Sequence, residues 1–206
     1  MFAGGLAGIL LTVCAASFAA DKPGDGFVSL FNGRDLTGWA VMGSPKGWTI
    51  RNGRIRSDGA MGGDWLRSER QYGDFIFRAD WRISKSSNSS LFVRAGEKGH
   101  PAFTGYPVQI STQSDDEEHC TGSLYDLVKV KRRPDETPDK WHTLEVRCQG
   151  NRIEVVADGV KCIDHVQSTS PKTKNKPLRG FLGLQECHSP RGRYVEFRNL
   201  QVKTLD

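Results

Sequence analysis

Between residues 74 and 83 apolar and charged side chains alternate. Phe75, Phe77, Ala79, Trp81 and Ile83 fall on one side, Asp74, Arg78, Asp80 and Arg82 on the other, with Ile76 the exception. A period of two cannot belong to a helix, whose faces repeat every 3.6 residues; it requires a strand with one face buried and one wet. No stretch elsewhere keeps helical periodicity over ten residues. Short apolar runs recur instead between turn signals. Asn52-Gly53 joins Trp48–Arg51 to Arg54-Ile55, supplying the two positive-φ residues of a type I′ hairpin. Gly150-Asn151 joins Trp141–Cys148 to Ile153–Ala157, and Asp158-Gly159 leads into Val160–Ile163. Leu91–Arg94, Val108–Ile110, Gly180–Gln185 and Tyr194–Val202 complete the set. About ten strands without βαβ spacing predict an all-β, antiparallel two-sheet sandwich or barrel, with a jelly roll the best single choice.

The first 20 residues stand apart. Residues 2–20 carry no charge, and Ser17 and Ala19 are the small residues a signal peptidase reads at −3 and −1, so a cleaved signal peptide over residues 1–20 is expected. Leu11-Thr-Val-Cys14 is a poor lipoprotein box, because Val13 stands where a small residue is wanted. A single domain over residues 24–206 is expected to be secreted or periplasmic. No run after residue 20 approaches the ~18 apolar residues of a spanning helix. With 29 basic and 24 acidic residues the net charge is only +5 and the basic residues are scattered, so neither nucleic-acid binding nor a membrane span is indicated.

Cys120, Cys148, Cys162 and Cys187 remain in the mature chain, and in an oxidising compartment they are expected as a structural disulfide or as buried free thiols. His119-Cys120 and Cys187-His188 could supply a Cys2His2 zinc set, but their spacing matches no finger or knuckle. Residues 96–104 and 111–120 are polar and irregular, the kind of loop that carries sites on a rigid scaffold. Residues 168–177 are expected to be a solvated loop.

From Gly26-Phe-Val-Ser-Leu-Phe-Asn-Gly-Arg-Asp-Leu-Thr-Gly-Trp39 onward the chain resembles a known family, the 3-keto-disaccharide hydrolase domain. The similarity continues through Tyr72-Gly-Asp-Phe75, Ser87-Asn-Ser-Ser-Leu-Phe-Val-Arg94, Gly105-Tyr-Pro-Val-Gln-Ile110 and Thr121-Gly-Ser-Leu-Tyr125. Lys140–Glu145, Gly183-Leu-Gln-Glu-Cys-His188 and Val195–Leu200 follow in the family's order. The resemblance implies a concanavalin A-like jelly roll acting on glycosides oxidised at C3 of the sugar. A ketone there acidifies the proton on C2, so a base can remove it and expel the C1 substituent, after which water adds. That chemistry needs a base, donors or a divalent metal for the enolate oxygen, and an acid for the leaving group.

His188, closing the Gly-Leu-Gln segment, is the first choice for base or metal ligand, against a solvent-facing loop histidine. Arg94 is read as a donor to a substrate oxygen or as an outward charge on a sheet. Gln109, opposite in direction to Val108 and Ile110, is a sugar contact or an ordinary polar side chain. Asn88 contacts substrate or turns the chain. Tyr125 stacks on a sugar, donates its hydroxyl or belongs to the core, and Gln185 is a further substrate contact. Pro107 stands where the family usually has Glu. Asp115, Asp116, Glu117 or Glu118 could replace that carboxylate or hold a divalent cation, unless they form only a solvated run. His142 is expected to be structural, His100 and His165 exposed. The tryptophans are assigned to the core, with Trp65 left open as a sugar platform.

Two functions follow. The first is an exported enzyme cleaving 3-keto-glycosides, which would need a sugar 3-dehydrogenase upstream to make its substrate. The second is a lectin-like carbohydrate-binding module on the same fold, motivated by Pro107. The enzyme is the preferred reading.

Overall fold

A computed structural model describes residues 26–62 and 64–205; the expected leader lies outside them. Two antiparallel sheets pack face to face. An eight-stranded sheet has the order β11(Val160–Val166)-β10(Arg152–Ala157)-β9(His142–Gln149)-β6(Phe75–Ile83)-β13(Tyr194–Thr204)-β4(Arg54–Asp58)-β3(Trp48–Arg51), with β1(Val28–Ser29) also on β13. A five-stranded sheet has the order β2(Trp39–Val41)-β5(Trp65–Tyr72)-β12(Gly180–Gln185)-β7(Asn88–Ala95)-β8(Tyr106–Ser111). The one α-helix among the described residues is the single turn α1(Pro101–Thr104). This is the concanavalin A-like jelly roll.

The alternating segment behaves as its pattern demands: Phe75, Phe77, Ala79, Trp81 and Ile83 are fully buried between the sheets. Asn52 and Gly53 take φ of 50° and 70°, the left-handed pair a type I′ turn needs. The outer face of the eight-stranded sheet is closed by ion pairs. Arg82 and Arg56 converge on the buried Glu196, Arg78 pairs with Glu145, and Arg198 with Asp80. Trp141, expected in the core, is half-buried on that face under the guanidinium groups of Arg82 and Arg198, at 5.1 and 4.1 Å from its ring. It precedes β9 rather than forming part of it, so its ring follows the arginines. His142 is structural as expected: its ring stacks on Trp81 at 4.5 Å.

All four cysteines are buried and free, the second of the two alternatives. Burial pushes their thiols up, to about 11 for Cys120, Cys162 and Cys187 and about 12 for Cys148.

The structure corrects the reading of Arg94. Phe181 pairs with Ala95 while Gly183 pairs with Phe92, so Val93 and Arg94 together oppose Leu182 in a β-bulge. Arg94 adopts φ of +52°, and its side chain is completely buried instead of projecting from the sheet. Its guanidinium donates to the carbonyls of Gly73 (3.1 Å) and Gly150 (2.8 Å) and to Asp74 Oδ1 (3.3 Å). It therefore ties β7 to the turns before β6 and after β9. Truncation would empty the fully buried space of this side chain and remove its bonds to three partners, so Arg94→Ala should lower stability by about 3 kcal/mol, read as a fall in the urea midpoint with little change in m. A variant within 1 kcal/mol of wild type would remove this anchoring role.

Candidate functional site

On the outward face of the five-stranded sheet, the register of β7 and β8 places Asn88 opposite Ser111, Ser90 opposite Gln109, and Phe92 opposite Pro107. Alternation turns these side chains away from the core, which Leu91, Val93, Val108 and Ile110 fill. Ser90 Oγ donates to Gln109 Oε1 at 2.9 Å, so the NH2 of that amide is its donor toward the cleft. Gln185 closes β12, and the chain beyond it is held by backbone bonds. Glu186 N donates to Asp64 O (3.0 Å), His188 N to Asn88 O (3.0 Å), and Asn88 N to Ser189 Oγ (3.1 Å). These fix the exposed His188 beside the start of β7.

Three walls rise around this floor. His100, Ala102 and Phe103 come from α1 and its N-cap; Tyr125, Asp126 and Leu127 from the turn that follows the Leu124 bridge to β8; Lys172 and Lys176 from residues 167–177. They enclose a cleft of about 710 Å³. The structure thus brings Asn88, Gln109, Tyr125, Gln185 and His188 to one cavity, with Pro107 on its floor, and leaves Arg94 behind the sheet. Trp65 is buried beside the cleft, edge-on to Phe92 at 5.6 Å, and Gly183 makes room for its ring: a Cβ there would lie 2.5 Å from it. It supports Phe92 rather than facing the cavity.

The acidic run does not enter the cleft. Asp116 instead serves His119, whose Nδ1 lies 2.9 Å from Asp116 Oδ2 and whose Nε2 lies 2.9 Å from Asp126 Oδ1. Those two carboxylates, Asp116 first, raise the His119 pKa above its ordinary value. The His119 ring also packs on Tyr125 at 4.7 Å, so it clamps the Tyr125–Asp126 rim. The carboxyl groups that do line the cleft are Asp64, Asp126 and Glu186, which the motif reading passed over. Asp64 and Asp126 sit at φ of 52° and 59°, strained positions that Asp tolerates and that cluster at functional sites. Glu186 lies within the Gly183-Leu-Gln-Glu-Cys-His188 segment, whereas Asp64 and Asp126 carry no sequence signal beyond their neighbours.

Residues 168–177 are the largely exposed loop expected, pinned at one buried residue. Thr173 is fully buried, its hydroxyl donating to Gln167 O at 2.7 Å and accepting from His165 Nε2 at 2.9 Å. His165 is buried too, contrary to expectation, and desolvation pulls its pKa down.

Among the described residues, the His, Cys, Asp and Glu atoms of the cleft form no group of three close enough to share one ion. Such a group occurs elsewhere, at Asp135, His142 and Asp158. There His142 Nδ1 contacts Asp158 at 2.6 Å, Nε2 contacts Thr137 O at 2.9 Å, and Lys140 holds Asp135 at 2.6 Å, so the cluster satisfies itself. Cys120 and Cys187 have separate neighbours, Glu117 O for one and Ser57 for the other, and build no zinc set.

The 3-keto-alpha-glucoside-1,2-lyase-like domain model matches residues 26–203. The chain belongs to that family. It is 25% identical over 236 aligned residues to the 3-keto-disaccharide hydrolase of Bacteroides thetaiotaomicron, covering 88% of this chain and 79% of that protein. A crystal structure from Parabacteroides distasonis, described as a candidate glycosyl hydrolase, superposes with a TM-score of 0.76 at 24% identity, over 88% of this chain and 94% of that one. The β-glucanase of Bacillus licheniformis shares the fold at TM-score 0.57 and 13% identity, over 89% of this chain and 100% of that one.

The His119 clamp has a testable pH signature. A raised pKa means that its contribution is complete below the unfolded-state value of about 6.5 and is lost as pH rises through the folded-state value. NMR titration of the His119 ring should give a midpoint above 6.5. Amide exchange at Tyr125 and Asp126 should accelerate above that pH beyond the intrinsic rate, and His119→Gln should abolish the excess. A midpoint at or below 6.5 would rule the clamp out.

Proposed function

We propose that the cleft binds a glycoside carrying a ketone at C3 and cleaves it by elimination and hydration, a net hydrolysis. The observation that carries this is the convergence of Asn88, Gln109, Tyr125, Gln185 and His188, from three strands and two loops, on one cavity floored by Phe92. Membership of the family and the name of the Bacteroides relative support the substrate class.

The chemistry needs no redox partner. His188 takes the C2 proton, made acidic by the neighbouring ketone, and the electron pair it leaves passes into an enolate with the charge on the C3 oxygen. That enolate collapses to a C1–C2 double bond, expelling the aglycone oxygen from C1, which takes a proton from a carboxyl group. Glu186 and Asp64, joined through backbone beside His188, stand at that end of the cleft. Water then adds its oxygen to C1 and a proton returns to C2, giving the free 3-keto sugar and the alcohol. The NH2 groups of Asn88 and Gln109 are donors for the enolate oxygen and the sugar hydroxyls, and the exposed Tyr125 offers a ring face to the pyranose. Arg94 has no part in the reaction. A sugar 3-dehydrogenase would have to supply the ketone, and the uncharged leader would carry the enzyme out of the cytosol.

A second reading has one observation in its favour. Pro107 sits on the cleft floor where the family usually has Glu, so that position brings neither a base nor a ligand. A lectin-like site would need only the amides and rings.

NMR of the mature protein with 3-keto-disaccharides separates the two. Sugar release is expected, with deuterium at C2 of the product in D2O. His188→Ala should cut kcat at least about 100-fold, the share a positioned base supplies, whereas Gln109→Ala should act mainly on KM. Unchanged turnover in the His188 variant would take that residue out of the mechanism. Binding without product across the panel would favour the lectin-like site.

A further inference from the structure

The cleft is electrically divided along its length. Its proposed chemical end lies at the start of β7, where His188, Glu186 and Asp64 gather around Asn88. The other end lies at the Phe92–Pro107 pair, four residues along β7, roughly 13 Å away at strand rise. There the wall holds Lys172 and Lys176.

Both ammonium groups are anchored by backbone oxygen alone. Lys176 Nζ donates to Phe103 O (2.8 Å) and Gly105 O (2.6 Å), and Lys172 Nζ to Asp126 O (2.7 Å). The lysine ion pairs among the described residues are those of Lys140 and Lys161, so neither of these two has a carboxylate within 4.0 Å. The nearest acid on that wall, Asp126, turns its Oδ1 to His119. An ammonium has three donors, which leaves one on Lys176 and two on Lys172.

The surroundings make that vacancy costly for Lys176, while Lys172 stands exposed at the rim. Lys176 is half-buried over the Tyr106 ring, and Phe92, Pro107, Ala102 and the exposed Phe103 line the same end. Desolvation without a counter-charge pulls the Lys176 pKa below its ordinary value. A charge held in an apolar cleft by neutral carbonyls is what a ligand anion would complete.

Building on the 3-keto-glycoside reading, we propose that Lys172 and Lys176 form a subsite for an anionic group on the part of the glycoside remote from C1–C2. The preferred substrate is then an acidic glycoside, bearing a carboxylate, sulfate or phosphate on its leaving group.

The test uses matched aryl glucosides in both anomers: 4-carboxyphenyl against its neutral isostere 4-carbamoylphenyl, with 4-sulfophenyl and 4-phosphonophenyl as further arms. Calorimetry on the unoxidised glucosides reads binding separately from turnover, and their 3-keto forms then give kcat/KM. The mature wild-type protein should prefer the carboxylate over the carboxamide by about tenfold or more, the size of a charge-assisted hydrogen bond, and salt should erode that preference. Lys176→Gln and Lys172→Gln should each reduce it while leaving carboxamide affinity unchanged, and Lys176→Arg should retain it. The ranking of the three anions identifies which the subsite takes. If Lys176→Gln loses the anchor of α1 and unfolds, the Lys172 variant and the wild-type salt series still decide. Equal affinity for carboxylate and carboxamide would overturn the subsite and leave the glycoside reading standing. Failure of every glucoside to bind would overturn both.

Discussion

The bulge at Arg94 is what the rest of the molecule depends on. Strand β7 lies between β12 and β8 in the functional sheet, and a strand's side chains change face at every residue. By inserting one residue opposite Leu182, the bulge keeps Phe92 on the outer face and returns Ala95 to it, while Val93 and Arg94 both turn inward. A charged guanidinium inside a sandwich is tolerable because the turns at Gly73 and Gly150 present carbonyl oxygen to it and Asp74 a carboxylate. Position 94 therefore carries a local conflict that the fold settles with long-range hydrogen bonds, and the cleft's floor takes its phase from it.

The two outer faces of the sandwich have been given opposite fates. On the eight-stranded sheet nearly every charged side chain of the central strands meets one of opposite sign across a strand, and aromatic rings cover the arginines. That face is electrostatically finished and has little to offer a ligand. The cleft on the five-stranded sheet instead presents amides, hydroxyls and rings, and the cleft's charges come from loops at the rim. Binding capacity follows from what is left incomplete, not from where polar residues are most numerous.

Much of the architecture was legible because burial on one face writes itself as alternation. Strands β6 and β9 carried that signature, the hairpin was marked by Asn52-Gly53, and the central strand at Gly180–Gln185, buried on both faces, showed as a short apolar run. Strand β5, Trp-Leu-Arg-Ser-Glu-Arg-Gln-Tyr, did not. It lies between β2 and β12, yet a register shift against β12 breaks its period and Glu69, Arg70 and Gln71 stand in a row. Motif order brought Asn88, Gln109, Tyr125, Gln185 and His188 into view without saying that they meet. It could not foresee Arg94, because a bulge reverses the direction that alternation assigns. Nor could it foresee Lys176, since a lysine among Ser, Thr and Pro reads as solvated until its carbonyl partners on a distant segment are known.

The four buried thiols give the protein an independence from its surroundings. With pKa values near 11 or above, only about one thiol in ten thousand is ionised at neutral pH, so exchange with small disulfides is slow even where oxidants are plentiful. No cross-link has to be made or proofread for the sandwich to close. The packing of the two sheets is then what holds the described residues together, with no sulfur bridge among them. The protein's yield in a foreign host should then track how well the sheets pair rather than how the host handles sulfur.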